Sequence, residues 1–223
     1  MTPVFSISNI CRSLLPWLAI GLFLSGCTAA LERLHPQYPR YRHAMEKMLV
    51  LVPEISIYEQ LPDGGRLFDR VHSHEARLSA QQAIVEQLKN RHYSVQPLDA
   101  ENMSTPEMQS VLALFRSVNR SIQLHTIGPQ PFPAKKAAFE YHLGTVADIL
   151  RAYHADGLVL AIGHQTGLLR PTKNWLSVAV VEPEGRIIWY AFQGDHKRFN
   201  FQDDEGVHTL VGSTMANFLE QGS

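Results

Sequence analysis

The chain is short of cysteine, of net charge and of long apolar runs, and each shortage narrows what it can be. Its 223 residues include two cysteines, Cys11 and Cys27, too few for a disulfide framework or a thiolate metal site. Lys and Arg number 20 against 21 Asp and Glu, so the basic surplus on which nucleic-acid binding rests is missing. No apolar stretch reaches the roughly 20 residues that a spanning helix needs. The strings G-x-S-x-G, H-E-x-x-H, G-x-G-x-x-G and the phosphate-loop pattern do not occur, which removes the standard signatures of hydrolases, zinc proteases and nucleotide-binding folds. Neither an internal repeat nor a low-complexity segment interrupts the chain.

What is present begins with an address. A polar stretch ending in Arg12 precedes an apolar, Leu-rich run over 13–24 that contains Pro16, the layout of a secretory signal peptide. The run closes on Leu24-Ser25-Gly26-Cys27, which resembles the bacterial lipobox, where the Cys thiol receives diacylglycerol and the chain is cut just before it. Small residues before the cysteine suit a peptidase groove, and the thiol is the side chain there nucleophilic enough to be acylated. An ordinary cleavage leaving Cys27 free, or an uncleaved anchor, are the other readings. The resemblance implies three acyl chains, and because each buried CH₂ contributes about 0.8 kcal/mol while one chain holds only marginally, such an anchor is stable. Thr28, rather than Asp, follows the cysteine, and the resemblance then implies the outer membrane. Cleavage before Cys27 would remove Arg12 and Cys11, leaving 19 basic and 21 acidic residues and a single thiol committed to lipid.

Residues 28–46 carry Pro36, Pro39 and scattered polar and aromatic residues without a clear period, which reads as a tether or, over 29–34, as a short docked helix. The domain is expected from residue 47. Met48-Leu49-Val50-Leu51-Val52, closed by Pro53, is an apolar run suited to a strand buried on both faces, and Pro62-Asp63-Gly64-Gly65 signals a turn. Ser73 offers an N-cap oxygen, and Ala76, Ala80, Ala83, Ile84 and Leu88 recur at helical spacing through Arg91. Residues 93–98 alternate as a second strand, and this order predicts a right-handed crossover with parallel pairing. Thr105-Pro106-Glu107 starts another helix with proline in its first turn. A loop is expected over 125–133, and a third helix over 134–154, broken near Gly144. Residues 158–163 read as a buried strand. Residues 174–182 and 186–193 form a hairpin about Pro183-Glu184-Gly185, and 206–220 form a last helix.

The fold class predicted is therefore α/β: a single mixed sheet with a right-handed strand-helix-strand start, a C-terminal antiparallel hairpin and about four packed helices. Three strings in this order, Met48-Leu49-Val50-Leu51-Val52-Pro53, Ala155-Asp156-Gly157-Leu158-Val159-Leu160 and Gly185-Arg186-Ile187-Ile188-Trp189, resemble the envelope domain shared by the amino-terminal part of TolB, the curli-secretion lipoprotein CsgG and the penicillin-binding-protein activator LpoB. The resemblance covers about 47–220. It implies a signal peptide over 1–26, a lipidated tether over 27–46 and a periplasmic domain over 47–223. Residues 105–133 are longer than that pattern requires. Long extra hairpins of about ten alternating residues, which a pore-forming relative needs, are missing, so a pore subunit is disfavoured.

Chemistry is sparse. The 11 histidines raise a metal site around His72-Ser73-His74-Glu75, with His35 and His43 upstream, but His72 and His74 straddle a helix start and point apart, whereas zinc needs three or four converging ligands. His154-Ala155-Asp156 could form an acid–base pair, or simply a helix C-terminal histidine followed by a turn. Ser213 beside Gly212 lacks an evident base. Trp175, Trp189 and Tyr190 read as sheet packing before ligand stacking. The candidate partner-binding loop is 167–173, where Leu168 and Leu169 lie beside Arg170 and Lys173; the leucines folding back onto the core is its alternative. The expectation is a non-catalytic, lipid-anchored protein without cofactor or metal. It contacts membrane lipid through Cys27 and an envelope protein through its domain, with homo-oligomers left open and no nucleic acid. A periplasmic hydrolase or metal enzyme using the histidines is the competing class.

Overall fold

A computed structural model of the chain describes residues 30–127, 132–134, 138–167, 173–194 and 200–218. Within them the elements run β1 (Leu31–Leu34), α1 (Tyr38–His43), β2 (Lys47–Val50), β3 (Glu54–Gln60), β4 (Arg66–Asp69), α2 (Arg70–Lys89), β5 (Ser94–Pro97), α3 (Pro106–Ile122), α4 (Ala147–Ala152), β6 (Gly157–Thr166), β7 (Lys173–Val181), β8 (Ile187–Gly194) and α5 (Asp204–Thr214). A 3₁₀ turn at Ala100–Ser104 precedes α3, and a π turn at Gln123–Ile127 extends it.

All eight strands form one mixed sheet, ordered β1-β8-β7-β6-β2-β5, with β3 also pairing β6 and β4 pairing β3. Strands β2 and β3 occupy successive stretches of one edge of β6, Met48 opposite Gly157 and Tyr58 opposite Thr166. Pro53 lies between them and has no N–H to donate to a ladder. Strand β2 is parallel to β5 and β6, while β6, β7, β8 and β1 are successively antiparallel. The α/β class, the mixed sheet, the parallel strand-helix-strand start and the C-terminal hairpin are all present.

Alternation along the strands divides the core. Val159, Ala161, Leu176, Val178 and Ile57 pack on one face against Ala80, Ile84 and Leu88 of α2 and Leu210 and Val211 of α5. Leu158, Leu160, Ala179, Val181 and Tyr190 pack on the other against Met108, Leu112 and Phe115 of α3 and Leu150 of α4. Helices therefore cover both faces of the sheet, and the period-2 side-chain pattern assigns each strand residue to its layer.

Three expectations are corrected. First, the stretch 27–46 is not a free tether over its described part. Strand β1 pairs antiparallel with β8, Leu31 opposite Phe192 and Leu34 opposite Trp189, and Glu32 accepts a hydrogen bond from the Trp189 indole Nε1. Helix α1 adds the fifth helix, with Tyr38 buried in the core next to Met45. Second, α2 starts earlier than Ser73. Asp69 is its N-cap, accepting from His72 N at 2.9 Å, whereas the buried Ser73 Oγ accepts from Ile57 N at 2.9 Å and ties the helix to β3. Third, the helix expected over 134–154 is helical, in its described part, only at Ala134 and in α4. Phe139, Leu143 and Val146 do bury, but on an irregular strap whose backbone bonds to the β7–β8 turn: Leu143 N to Gly185 O at 2.8 Å, Val146 N to Pro183 O at 2.9 Å and Ile187 N to Tyr141 O at 2.9 Å. Gly185 has φ +91°, and a Cβ there would fall 1.8 Å from Gly144 O, so only glycine allows the strap to approach.

Candidate functional site

Several residues singled out from the sequence do not converge. Leu24, Ser25, Gly26 and Cys27 lie outside the described residues, as do Leu168, Leu169 and Arg170. Lys173 opens β7, exposed, opposite Thr166. His72 Nδ1 lies 2.7 Å from Asp69 Oδ2, an interaction that belongs to the helix cap. Asp156 Oδ2 accepts from Glu46 N and Lys47 N at 3.1 and 2.9 Å, holding the start of β2 beside β6. Among the described residues no group of three or more His, Cys, Asp or Glu side chains could hold a metal ion.

A different constellation emerges where the cover on one sheet face runs out. On the face under α3, Leu158 and Leu160 of β6 are fully buried, Ile162 is partly buried, and His164 is next in line. Strand β7 repeats the sequence: Val181 and Ala179 lie in the core, Ser177 Oγ donates to Asn119 Oδ1 of α3 at 2.8 Å, and Trp175 lies beyond, half-buried. On β8 Tyr190 is buried, its hydroxyl donating to the same Asn119 Oδ1 at 2.8 Å, and Phe192 follows, half-buried. Burial and loss of hydration push the Tyr190 phenol far above its ordinary range.

Beyond that margin the side chains remain aromatic. Phe68 of β4, Tyr58 of β3, His164 of β6, Trp175 of β7 and Phe192 of β8 form a chain of ring contacts across five adjacent strands, with centroids 5.5, 5.4, 6.1 and 6.1 Å apart. Register places the rings together: Tyr58 faces Phe68 and His164 faces Trp175 directly, the cross-strand pairs that stabilise sheets. His164 Nε2 lies 3.0 Å from Thr166 Oγ1. Partial burial, then the charges of Lys173 and Arg66, hold the imidazole below its ordinary pKa. Phe68 is 44% exposed, and Leu67 and Val71 beside it in the chain are 56% and 63% exposed. The stripe thus joins aromatic rings, an imidazole and two cations on a half-buried sheet surface that is exposed at Phe68, a composition that suits an amphipathic contact.

At the opposite end of the strands lies a polar cleft of about 470 Å³, lined by His35, Gln37, Glu140, His142 and Arg186. His35 Nδ1 accepts from Gln37 N at 3.1 Å and His142 Nδ1 from Gly144 N at 2.8 Å, which leaves each Nε2 to carry the ring proton. Arg186 Nη1 donates to Tyr41 Oη at 3.1 Å and to the buried Glu182 Oε1 at 3.3 Å. The cleft offers hydrogen-bond donors around a compensated cation.

Sequence inspection noted Trp175 but treated it as packing, and it missed Tyr58, Phe68, His164 and Phe192. The usable signal was period-2 alternation continuing in aromatic residues to the ends of β6, β7 and β8.

No protein-family model matches the chain, and comparison with curated proteins finds no match. Among solved structures it is similar to a PelC dodecamer from Paraburkholderia phytofirmans, at 11% identity over 86% of this chain and 97% of that one, with a TM-score of 0.44. It is also similar to lipoprotein GNA1162 from Neisseria meningitidis, at 10% identity over 68% and 80% of the two chains and a TM-score of 0.35. The LpoB C-terminal domain from Salmonella enterica follows at 13% identity, covering 82% and 95%, with a TM-score of 0.30. TM-scores of this size carry neither fold nor function from one chain to another. No helix among the described residues is long and apolar enough to cross a membrane.

Proposed function

We propose that this chain is a lipid-anchored, non-catalytic protein of the bacterial envelope, held through acylated Cys27 on the periplasmic side of the outer membrane, where it binds another envelope component. The observation that carries the proposal is the Leu24-Ser25-Gly26-Cys27 string placed four residues ahead of a strand built into the domain, Leu31 pairing with Phe192. Four residues span at most about 14 Å, so the domain sits at the membrane surface and not at the end of a long lead. A partner would meet it there. The histidines support this reading over a metal enzyme: His35, His72, His142 and His164 each hydrogen-bond a different local neighbour.

Cys27→Ser tests the anchor: metabolic fatty-acid labelling should disappear and the protein should leave the membrane fraction while remaining folded. A labelled band that persists in the variant sinks the proposal. Mild crosslinking followed by affinity purification of the membrane-bound protein tests the partner; recovery of this chain alone would remove that half of it.

A further inference from the structure

We propose that the stripe of Phe68, Tyr58, His164, Trp175 and Phe192 lies against the interface of the same bilayer that holds the Cys27 lipid, so that the sheet itself is a second membrane contact. The inference rests on the anchor proposed above and adds the surface that meets the lipid and the orientation that follows.

Chain geometry places the two together. The chain enters the fold at Leu31, whose partner in the ladder is Phe192, the ring at the β8 end of the stripe. With Cys27 at most about 14 Å from Leu31, the lipid and that end of the stripe are confined to one small region. From β1 the stripe crosses β8, β7, β6, β3 and β4; at about 4.8 Å per strand its far end is roughly 24 Å away. An anchor at one end of an apolar stripe leaves little freedom for the rest to stand clear of the surface.

The composition suits a bilayer interface. Trp and Tyr prefer the headgroup level because each has an apolar body and a polar tip, and Trp175 and Tyr58 occupy the middle of the stripe, half-buried. Phe68, opposite Tyr58 on the same sheet face, is 44% exposed and adds apolar surface at its far end. The exposed cations Arg66 and Lys173, close enough to His164 to depress its pKa, are placed to meet phosphate. Three acyl chains of the kind the lipobox resemblance implies already hold a protein stably, so a surface of this kind would set orientation more than affinity. The consequence is that the cleft around His35, His142 and Arg186, at the other end of the strands, faces away from the membrane and is presented to the partner.

Tryptophan fluorescence reads the contact. Besides Trp17 of the leader, the chain has only Trp175 and Trp189, and Trp189 is fully buried. The lipidated protein, wild type and Trp175→Phe, is reconstituted into phospholipid vesicles with and without brominated acyl chains. Bromine should remove most of the emission that Trp175 contributes, read as the difference between the two proteins, and leave the emission of Trp175→Phe nearly unchanged. Equal loss from both proteins, or none from either, overturns the proposal. So does a Trp175 emission already shielded from iodide in lipid-free protein and released on dilution, which would mark the stripe as a contact between copies. Fatty-acid labelling of the same preparation separates the two ideas: label without Trp175 quenching leaves the anchor and removes the stripe, whereas quenching without label removes the anchor and leaves the stripe.

Discussion

One sheet face of this protein is built in two halves from the same strands, one roofed by α3 and the strap and the other, among the described residues, without a helix over it and only half-buried. Leu158, Leu160, Ala179 and Tyr190 lie in the roofed half, and His164, Trp175 and Phe192 continue the same rows into the open half. The rows do not turn wholly polar where the roof stops, as an antiparallel sheet facing water ordinarily would: rings alternate there with Ser177, Thr166 and Lys173. They turn aromatic and amphipathic. A sheet face is thus not one environment, and its chemistry changes where its cover ends. The Asn119 amide oxygen, accepting from both Ser177 and Tyr190, marks the margin of the roof.

The contrast is open to breakage by substitution. Leu160→Ala in the roofed half should cost about 2–5 kcal/mol in urea unfolding, since it opens a cavity among packed neighbours; a loss near zero would mean that the roof is not packed as described. Trp175→Ala in the open half should cost about 1 kcal/mol or less, because the ring keeps contact with solvent and loses only its neighbours' stacking. A Trp175→Ala loss equal to that of Leu160→Ala would erase the distinction between the halves.

The smallest effect is a pH dependence specific to the open half. His164 has a folded pKa below its ordinary 6.5, through partial burial and then Lys173 and Arg66. Above 6.5 both folded and unfolded chains hold it neutral, and its full contribution to stability is present. As pH falls through 6.5 the unfolded chain takes up the proton first, so stability declines until the folded pKa is passed. His164→Gln should therefore lose stability less steeply than the parent as pH is lowered from neutral, measured by urea midpoints. Parallel slopes would show that the imidazole is not held neutral by its surroundings.

Reading the sequence worked where the signal is local. The apolar run at β6, the hairpin about Gly185 and the cap at Thr105, whose Oγ1 accepts from Met108 N at 3.3 Å, each sit within a few residues of their cause. It failed where two signals competed or the partner was distant. Asp69 displaced Ser73 as the α2 cap because β4 runs straight into the helix. Phe139, Leu143 and Val146 have helical spacing and do bury, yet hydrogen bonds from 141–146 to the β7–β8 turn hold them in a strap. Of the stripe, only Trp175 and the flanking Lys173 were legible, each for a different reason.

By itself the sequence determined the alternation that assigns strand residues to layers, because side-chain period acts on contiguous residues; the anchor proposed at Cys27 likewise rests on a contiguous string, Leu24-Ser25-Gly26-Cys27. Only the tertiary structure decided that Leu-Glu-Arg-Leu at 31–34 is a strand, since that segment has no pattern of its own and needs the exposed edge of β8, more than 150 residues on, to satisfy its backbone. The stripe belongs to the same category. Its five rings come from five strands, and only hydrogen-bond register between those strands brings them side by side.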